Sequence, residues 1–253
     1  MTNLKRYIEG MGNNAVRFAR TEMLLGTKAM DEIKKKKVLV LGIGGVGSHT
    51  VEALARTGVG YITMVDHDTI AVTNINRQLH SMESTVGKPK VEAMAERIKD
   101  INPDVQVKAL QEFYTPDKGD YFITSDYDFV IDAVDNVSAK LDIISRCKTN
   151  NIPVISCMGA GNKINPLTLT IDDISVTTTC PLARVVRREL KQRGIIDGVP
   201  VVYSPDSPLQ VKQESIEMVP SGKNSIPGSI SFVPAVAGFY LAYYVINKFA
   251  DGV

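Results

Sequence analysis

The chain has 253 residues, a formal net charge of +1 and 23% charged side chains, long enough to bury a large core without disulfide or metal staples. So even a charge balance excludes a global basic field, and any contact with RNA has to come from a local patch. The three cysteines, Cys147, Cys157 and Cys180, contain no C-x-x-C pair, which suits a reducing cytoplasm and excludes a four-thiolate zinc site.

The opening MTNLKRYIEGMGNN has no apolar core of the kind a signal peptide needs, so export is not expected. Residues 38–41 (VLVL) form a short apolar run with glycines directly behind it, which predicts a central strand covered on both faces. Residues 46–56 then have helical spacing and stop at Thr57 and Gly58, where glycine supplies the cap. Residues 61–65 predict the next strand, closed by Asp66, and residues 88–101 a helix with Val91, Met94, Ala95 and Ile98 on one face. Further strands are expected at 105–110, 129–131 and 153–157, with a helix over 140–150 between the last two. This alternation implies a Rossmann-like, doubly wound, mainly parallel α/β sheet with ligands at the carboxyl ends of its strands.

After Gly161 the rhythm changes to a mixed α/β extension. Residues 167–171 alternate as a strand, 181–193 read as a charged helix and 199–203 as another strand. Residues 204–228, rich in Pro, Ser, Gly and Lys, read as a mobile loop over a site or as plain surface disorder. The apolar stretch 233–249 is 17 residues long, contains Pro234 and Gly238, and falls short of the roughly 20 residues of a membrane span. It reads as a buried or dimer-facing helix. The expected organisation is a single domain over 1–253: an N-terminal helical arm to residue 30, a nucleotide-binding core over 31–160, and a substrate- and dimer-facing part over 161–253.

Gly42, Gly44 and Gly47 give G-x-G-x-x-G after a strand and at the opening of a helix, with Gly45 inside the turn and Asp66 closing the next strand. Glycines let the backbone approach a nucleotide, the helix start offers free amides, and Asp66 can accept from ribose hydroxyls. The pattern does not say which nucleotide. Residues 66–78 (DHDTIAVTNINRQ), 87–90 (GKPK) and 132–136 (DAVDN) narrow the choice. A nicotinamide enzyme has no obvious use for an extra arginine, lysine and second acidic strand end in one crevice. An enzyme adenylating a carboxylate needs all three, because two anions must meet at the α-phosphorus. Arg77 and Lys90 can neutralise ATP phosphates, Asn74 adds a neutral donor, and Asp135 can hold magnesium. The same residues also suit plainer roles, Arg77 and Lys90 as surface charges and Asp135 as a helix cap.

In this order and spacing these motifs resemble the activating-enzyme superfamily of ubiquitin-activating enzymes and the adenylyltransferases of molybdopterin and thiamine synthesis. The piece Arg17-Phe-Ala-Arg20 is similar to the superfamily's N-terminal R-[YF]-x-R, which implies that Arg20 reaches a nucleotide bound by the other subunit of a homodimer. Sulfur-carrier adenylyltransferases usually bear two C-x-x-C pairs, which this chain lacks. The segments 56–60 (RTGVG), 155–163 (ISCMGAGNK) and 180–190 (CPLARVVRREL) resemble instead the bacterial tRNA threonylcarbamoyladenosine dehydratases, over nearly the whole chain from Arg17 onward. That resemblance implies ATP-driven activation of a tRNA-borne carboxylate and ring closure with loss of water. It leaves a cysteine desulfurase or sulfur-acceptor protein as a further candidate partner, with no DNA.

One feature points to RNA independently. Arg184, Arg187, Arg188 and Lys191 recur at helical spacing, while Leu182, Val186 and Leu190 can turn inward. Such a stripe suits phosphate contacts, though a solvated face would look the same. Cys180, before a proline at a helix start, is a structural or substrate-lining thiol or an acyl acceptor, whereas Cys147 and Cys157 read as core. The readings beside the dehydratase are a Gly-Gly carrier adenylyltransferase, an NAD-dependent oxidoreductase and a nucleotide sensor without turnover.

Overall fold

The computed structural model describes residues 13–210 and 227–251. The opening residues and most of the 204–228 segment therefore lie outside the described residues. Helices α1 (Asn13–Leu25) and α2 (Thr27–Ile33) lead into β1 (Lys37–Leu41), α3 (Gly47–Thr57) and β2 (Tyr61–Val65). Then follow α4 (Lys90–Ile101), β3 (Gln106–Leu110), the single turn α5 (Gly119–Phe122), β4 (Phe129–Asp132), α6 (Val137–Thr149) and β5 (Val154–Cys157). The chain continues through β6 (Thr170–Asp173), α7 (Pro181–Gln192), β7 (Pro200–Tyr203) and α8 (Phe232–Ala250).

All seven strands join one sheet in the order β3-β2-β1-β4-β5-β7-β6. Every pairing is parallel except β6 against β7. The doubly wound, mainly parallel sheet predicted from the alternation is thus present, with β6 as the antiparallel edge. The two faces of β1 show why its sequence is apolar throughout: Val38 and Val40 pack with α3, α4 and α8, while Leu39 and Leu41 pack with α5 and α6. A third cluster joins α6, α7 and β7 around Ile144, Val186, Leu190 and Val201.

Boundaries shift where local chemistry overrides periodicity. The helix expected from residue 140 begins at Val137, because the Asn136 side chain caps it by accepting from the Ala139 amide at 2.9 Å. The helix expected from residue 88 begins at Lys90, with Pro89 at the cap and the residue before it held out of helical geometry. The strand expected at 167–171 is displaced. Asn165 accepts from the Leu167 amide at 3.1 Å and opens a 3-10 turn over Pro166–Thr168, so pairing with β7 begins only at Thr170.

The apolar stretch 233–249 forms the body of α8, which lies along α3 and buries Val233, Ala237, Leu241, Val245 and Phe249. Thr50 Oγ1 donates to the Gly238 carbonyl at 3.1 Å and joins the two helices. No helix among the described residues is long and apolar enough to cross a membrane.

A buried ion pair holds the sheet's carboxyl edge. Asp132, at the end of β4, and Lys140, on α6, are both fully buried and meet at 2.6 Å. Lys140 also donates to Ser156 Oγ at 3.0 Å and the Cys157 carbonyl at 2.9 Å, so all three of its protons are used. Replacing one partner strands the other charge in the core. Lys140→Met is expected to destabilise the fold by about 3–5 kcal/mol in urea unfolding, and a loss below about 1 kcal/mol would show that Asp132 does not depend on this ammonium.

Candidate active site

From β1 the chain runs outward to β2 and β3 on one side, then crosses back to β4 on the other side of β1. A crevice opens outside the carboxyl ends of the strands at such a reversal. Here it is a cleft of about 660 Å3 lined by Gly42, Gly44, Gly45, Asp66, Asn74, Arg77, Lys90 and Asp135, together with residues 158–163 after β5. The structure therefore brings together nearly the whole predicted nucleotide set.

The glycine turn is compact for a steric reason. Gly42 has φ +87°, and a side chain there would meet the Ala133 carbonyl oxygen at 2.7 Å; one at Gly47 would meet the Gly42 carbonyl oxygen at 1.8 Å. Gly47 does not line the cleft but lets the first turn of α3 close beneath it. Gly44 faces open space, with only Gln78 Nε2 at 3.9 Å from its added carbon. Two side chains fix the loop from outside. Asp66 Oδ2 accepts from the Ile43 amide at 2.7 Å and its Oδ1 from the Asp68 amide at 2.9 Å. His80, almost fully buried, lies 2.8 Å from the Ile43 carbonyl through Nε2 and 3.2 Å from Ser81 Oγ through Nδ1. Burial lowers the pKa of His80, and the Lys90 charge adds to this against the opposing Ile43 hydrogen bond. The neutral ring then donates to Ile43 and accepts from Ser81.

The cations are held differently. Lys90 is buried and donates to Asp68 Oδ2 at 2.5 Å. Arg77 curls over its own turn, donating from Nη1 to the Thr73 carbonyl and Asn76 Oδ1, each at 2.9 Å. Asn74 Oδ1 accepts from the Ala71 amide at 3.1 Å, which leaves its amide protons for the cleft. Asp135 is exposed and makes no hydrogen bond or ion pair among the described residues. Its neighbour Asn136 takes the helix cap, so the capping role open to Asp135 in the sequence belongs to the next residue. Asp66, His67 and Asp68 cluster closely enough to hold a cation, but Asp66 serves backbone amides and Asp68 serves Lys90 and His67.

Arg20, exposed on α1, does not line this cleft. Nor do the four basic residues of α7, although Cys180, Pro181 and Leu182 at the helix start do. Arg187 donates to the Thr177 carbonyl at 2.6 Å and its Oγ1 at 2.5 Å, and Arg188 pairs with Glu189 at 2.8 Å. Arg184 and Lys191 remain exposed, and Val186 and Leu190 point inward as expected. All three cysteines are free and buried. Burial pushes the Cys147 and Cys157 thiols up to about 12. Cys180 reaches the cleft wall.

Sequence reasoning passed over His80, Asp68, Lys140 and Lys163. Asp68 left a signal as the second acid of D-x-D and Lys163 as the last residue of ISCMGAGNK, whereas the lone Lys140 reads as surface until the fold buries it.

The model of the ThiF family matches residues 18–251, and the chain belongs to that family. Within it the chain falls among the tRNA threonylcarbamoyladenosine dehydratases. The Bacillus subtilis enzyme of that name is 44% identical over 235 residues, covering 90% of this chain and 92% of the relative. The Haemophilus influenzae one is 37% identical over 93% of this chain and 94% of the relative. The crystal structure of Escherichia coli tRNA N6-threonylcarbamoyladenosine dehydratase in complex with ATP superposes with a TM-score of 0.84 at 36% identity, covering 94% of this chain and 95% of that one.

The two glycines make opposite predictions. Gly47→Ala forces the turn open and is expected to lower stability by roughly 1–3 kcal/mol. Gly44→Ala, whose methyl faces the cleft, should leave the melting temperature unchanged while weakening the shift caused by an ATP analogue. Scanning fluorimetry with and without the analogue checks both, and a Gly47→Ala protein as stable as the wild type would contradict the packing described.

Proposed function

We propose that the chain is an ATP-dependent dehydratase that adenylates the carboxylate of a threonylcarbamoyl group on a tRNA adenosine and promotes its cyclisation. The observation that carries this reading is the convergence, at one strand-order reversal, of a glycine turn, two cations and an exposed, unengaged carboxylate. Relatives named for this activity, one of them described in complex with ATP, support it along nearly their whole length. The absence of paired cysteines for zinc separates the chain from sulfur-carrier adenylyltransferases.

The amides at the start of α3 and the glycine turn face the phosphates. Asp66, fixed by two backbone amides, keeps lone pairs for ribose hydroxyls. Lys90 retains two donor directions beyond its bond to Asp68, and with Arg77 it balances charge as the carboxylate oxygen attacks the α-phosphorus and pyrophosphate leaves. A nitrogen of the substrate then attacks the activated carbonyl carbon, AMP departs with its bridging oxygen and a proton is lost. No enzyme thiol is needed, and the raised pKa of Cys157 keeps it protonated. An exposed carboxylate free of other partners suits magnesium, which favours one or two carboxylates plus phosphates and water; Asp135 would hold it there, and when bound it neutralises phosphate charge.

Arg20 does not line the cleft of its own chain, and the likeness of Arg17-Phe-Ala-Arg20 to the superfamily's R-[YF]-x-R supports its reaching the site of a second copy in a homodimer. Helix α7 begins in the cleft wall and carries Arg184 and Lys191 outward, a path suited to tRNA phosphates, with Arg187 and Arg188 adding charge along it. Buried free thiols suit a reducing cytoplasm.

Asp135→Ala and Arg20→Ala should each lower turnover by about a hundredfold without unfolding the chain. Mixed and allowed to exchange subunits, they should regain activity, since one site of each heterodimer keeps both residues. Full activity in Asp135→Ala would sink the adenylation model. A failure to complement despite demonstrated exchange would remove Arg20 from the site.

A further inference from the structure

Three lysines are buried among the described residues: Lys90, Lys140 and Lys163. An ammonium withdrawn from water needs an anion or a full set of acceptors. Lys90 has the Asp68 carboxylate, and Lys140 has the Asp132 carboxylate, Ser156 Oγ and the Cys157 carbonyl. Lys163 has neither. Only 4% exposed, it makes one hydrogen bond among the described residues, to the backbone carbonyl of Asp206. Among the described residues no ion pair joins Lys163 to the Asp206 carboxylate, whose Oδ2 accepts from Thr168 Oγ1 at 2.6 Å. Two of the three ammonium protons are unspent.

The position of Lys163 gives this imbalance a meaning. It lines the main cleft in the loop after β5, and Asp206 follows β7. Sheet order β2-β1-β4-β5-β7 places both on the far side of the reversal from the glycine turn and the residues after β2. The nucleotide side has its own cations, Arg77 and Lys90, so a buried cation on the opposite wall calls for an anion arriving from the substrate side.

We infer that Lys163 binds the carboxylate of the acyl substrate and holds it at the β5 wall, facing the phosphates. The inference rests on the activity proposed above and adds the residue that selects for the acid. A tRNA backbone phosphate offers the same anionic oxygens, but a carboxylate on a slender threonyl arm reaches a buried ammonium more readily than a bulky strand does.

The experiment compares binding of tRNA carrying the threonylcarbamoyl group with the same tRNA lacking it, for wild type, Lys163→Met and Lys163→Gln. Glutamine keeps a donor for the Asp206 carbonyl, so the loop clamp survives if methionine prevents folding. Loss of one charge-assisted contact should cut the preference for modified tRNA by roughly tenfold to a hundredfold, with ATP affinity held within about twofold, a split that a purely structural lysine would not produce. Retention of the wild-type preference in the variants overturns the assignment while leaving the proposed activity intact. Equal weakening toward both tRNAs transfers Lys163 to phosphate binding and likewise overturns it. A wild type with no preference overturns the activity reading and the inference with it.

Discussion

The cleft depends on one buried contact, the pair between Asp132 and Lys140. Asp132 ends β4 at the place where the chain must leave the sheet and turn into α6, and its carboxylate meets no water. It accepts from Lys140 Nζ and Ser156 Oγ, each at 2.6 Å, and from the Val134 amide at 3.1 Å. One side chain thereby joins the ends of β4 and β5, the first turn of α6 and the loop that carries Asp135 and Asn136. The charge is not placed there for stability, since a well-packed apolar pair would do as well or better. What it supplies is position: with Asp132 and Asn136 both committed, Asp135 is left exposed at the edge of the cleft with its carboxylate free.

The other wall follows the same logic with different chemistry. Asp66 holds the glycine turn through the Ile43 amide, and neutral His80 holds it through the Ile43 carbonyl. The turn is thus gripped at both backbone groups of a single residue. Among the described residues Lys90 is paired with Asp68 inside the cleft, whereas Asp135 and Lys163 line it without an ion-pair partner. Preorganised charge of this kind is worth most in an enclosed site, because no reorganisation is needed at the moment of reaction.

What the sequence disclosed follows from the range of the interactions involved. The glycine spacing was legible because a side-chain carbon at Gly47 would fall 1.8 Å from the Gly42 carbonyl oxygen, which admits no other residue there. The doubly wound, mainly parallel sheet followed from alternating periods and from short apolar runs buried on both faces, whereas the strand order came from the structure. Environments made by distant segments stayed silent: nothing local showed that Lys140, or Lys163 at the end of ISCMGAGNK, would be buried, and His80 stands beyond the motif it supports. The strand expected at 167–171 failed for a local reason, since the Asn165 cap and Pro166 set a turn that hydrophobic alternation cannot register. The basic stripe of α7 was half legible; helical spacing placed its four cations on one side, but Arg187 is drawn back onto Thr177.

The central claim is that this cleft activates a carboxylate carried by tRNA, and the direct measurement is mass analysis of nucleosides after incubating the protein with ATP, magnesium and tRNA bearing threonylcarbamoyladenosine. The account predicts a product nucleoside lighter by one water, with pyrophosphate and AMP released only when the modified tRNA is present. Pyrophosphate release that proceeds equally with unmodified tRNA, or with no change in nucleoside mass, would contradict it.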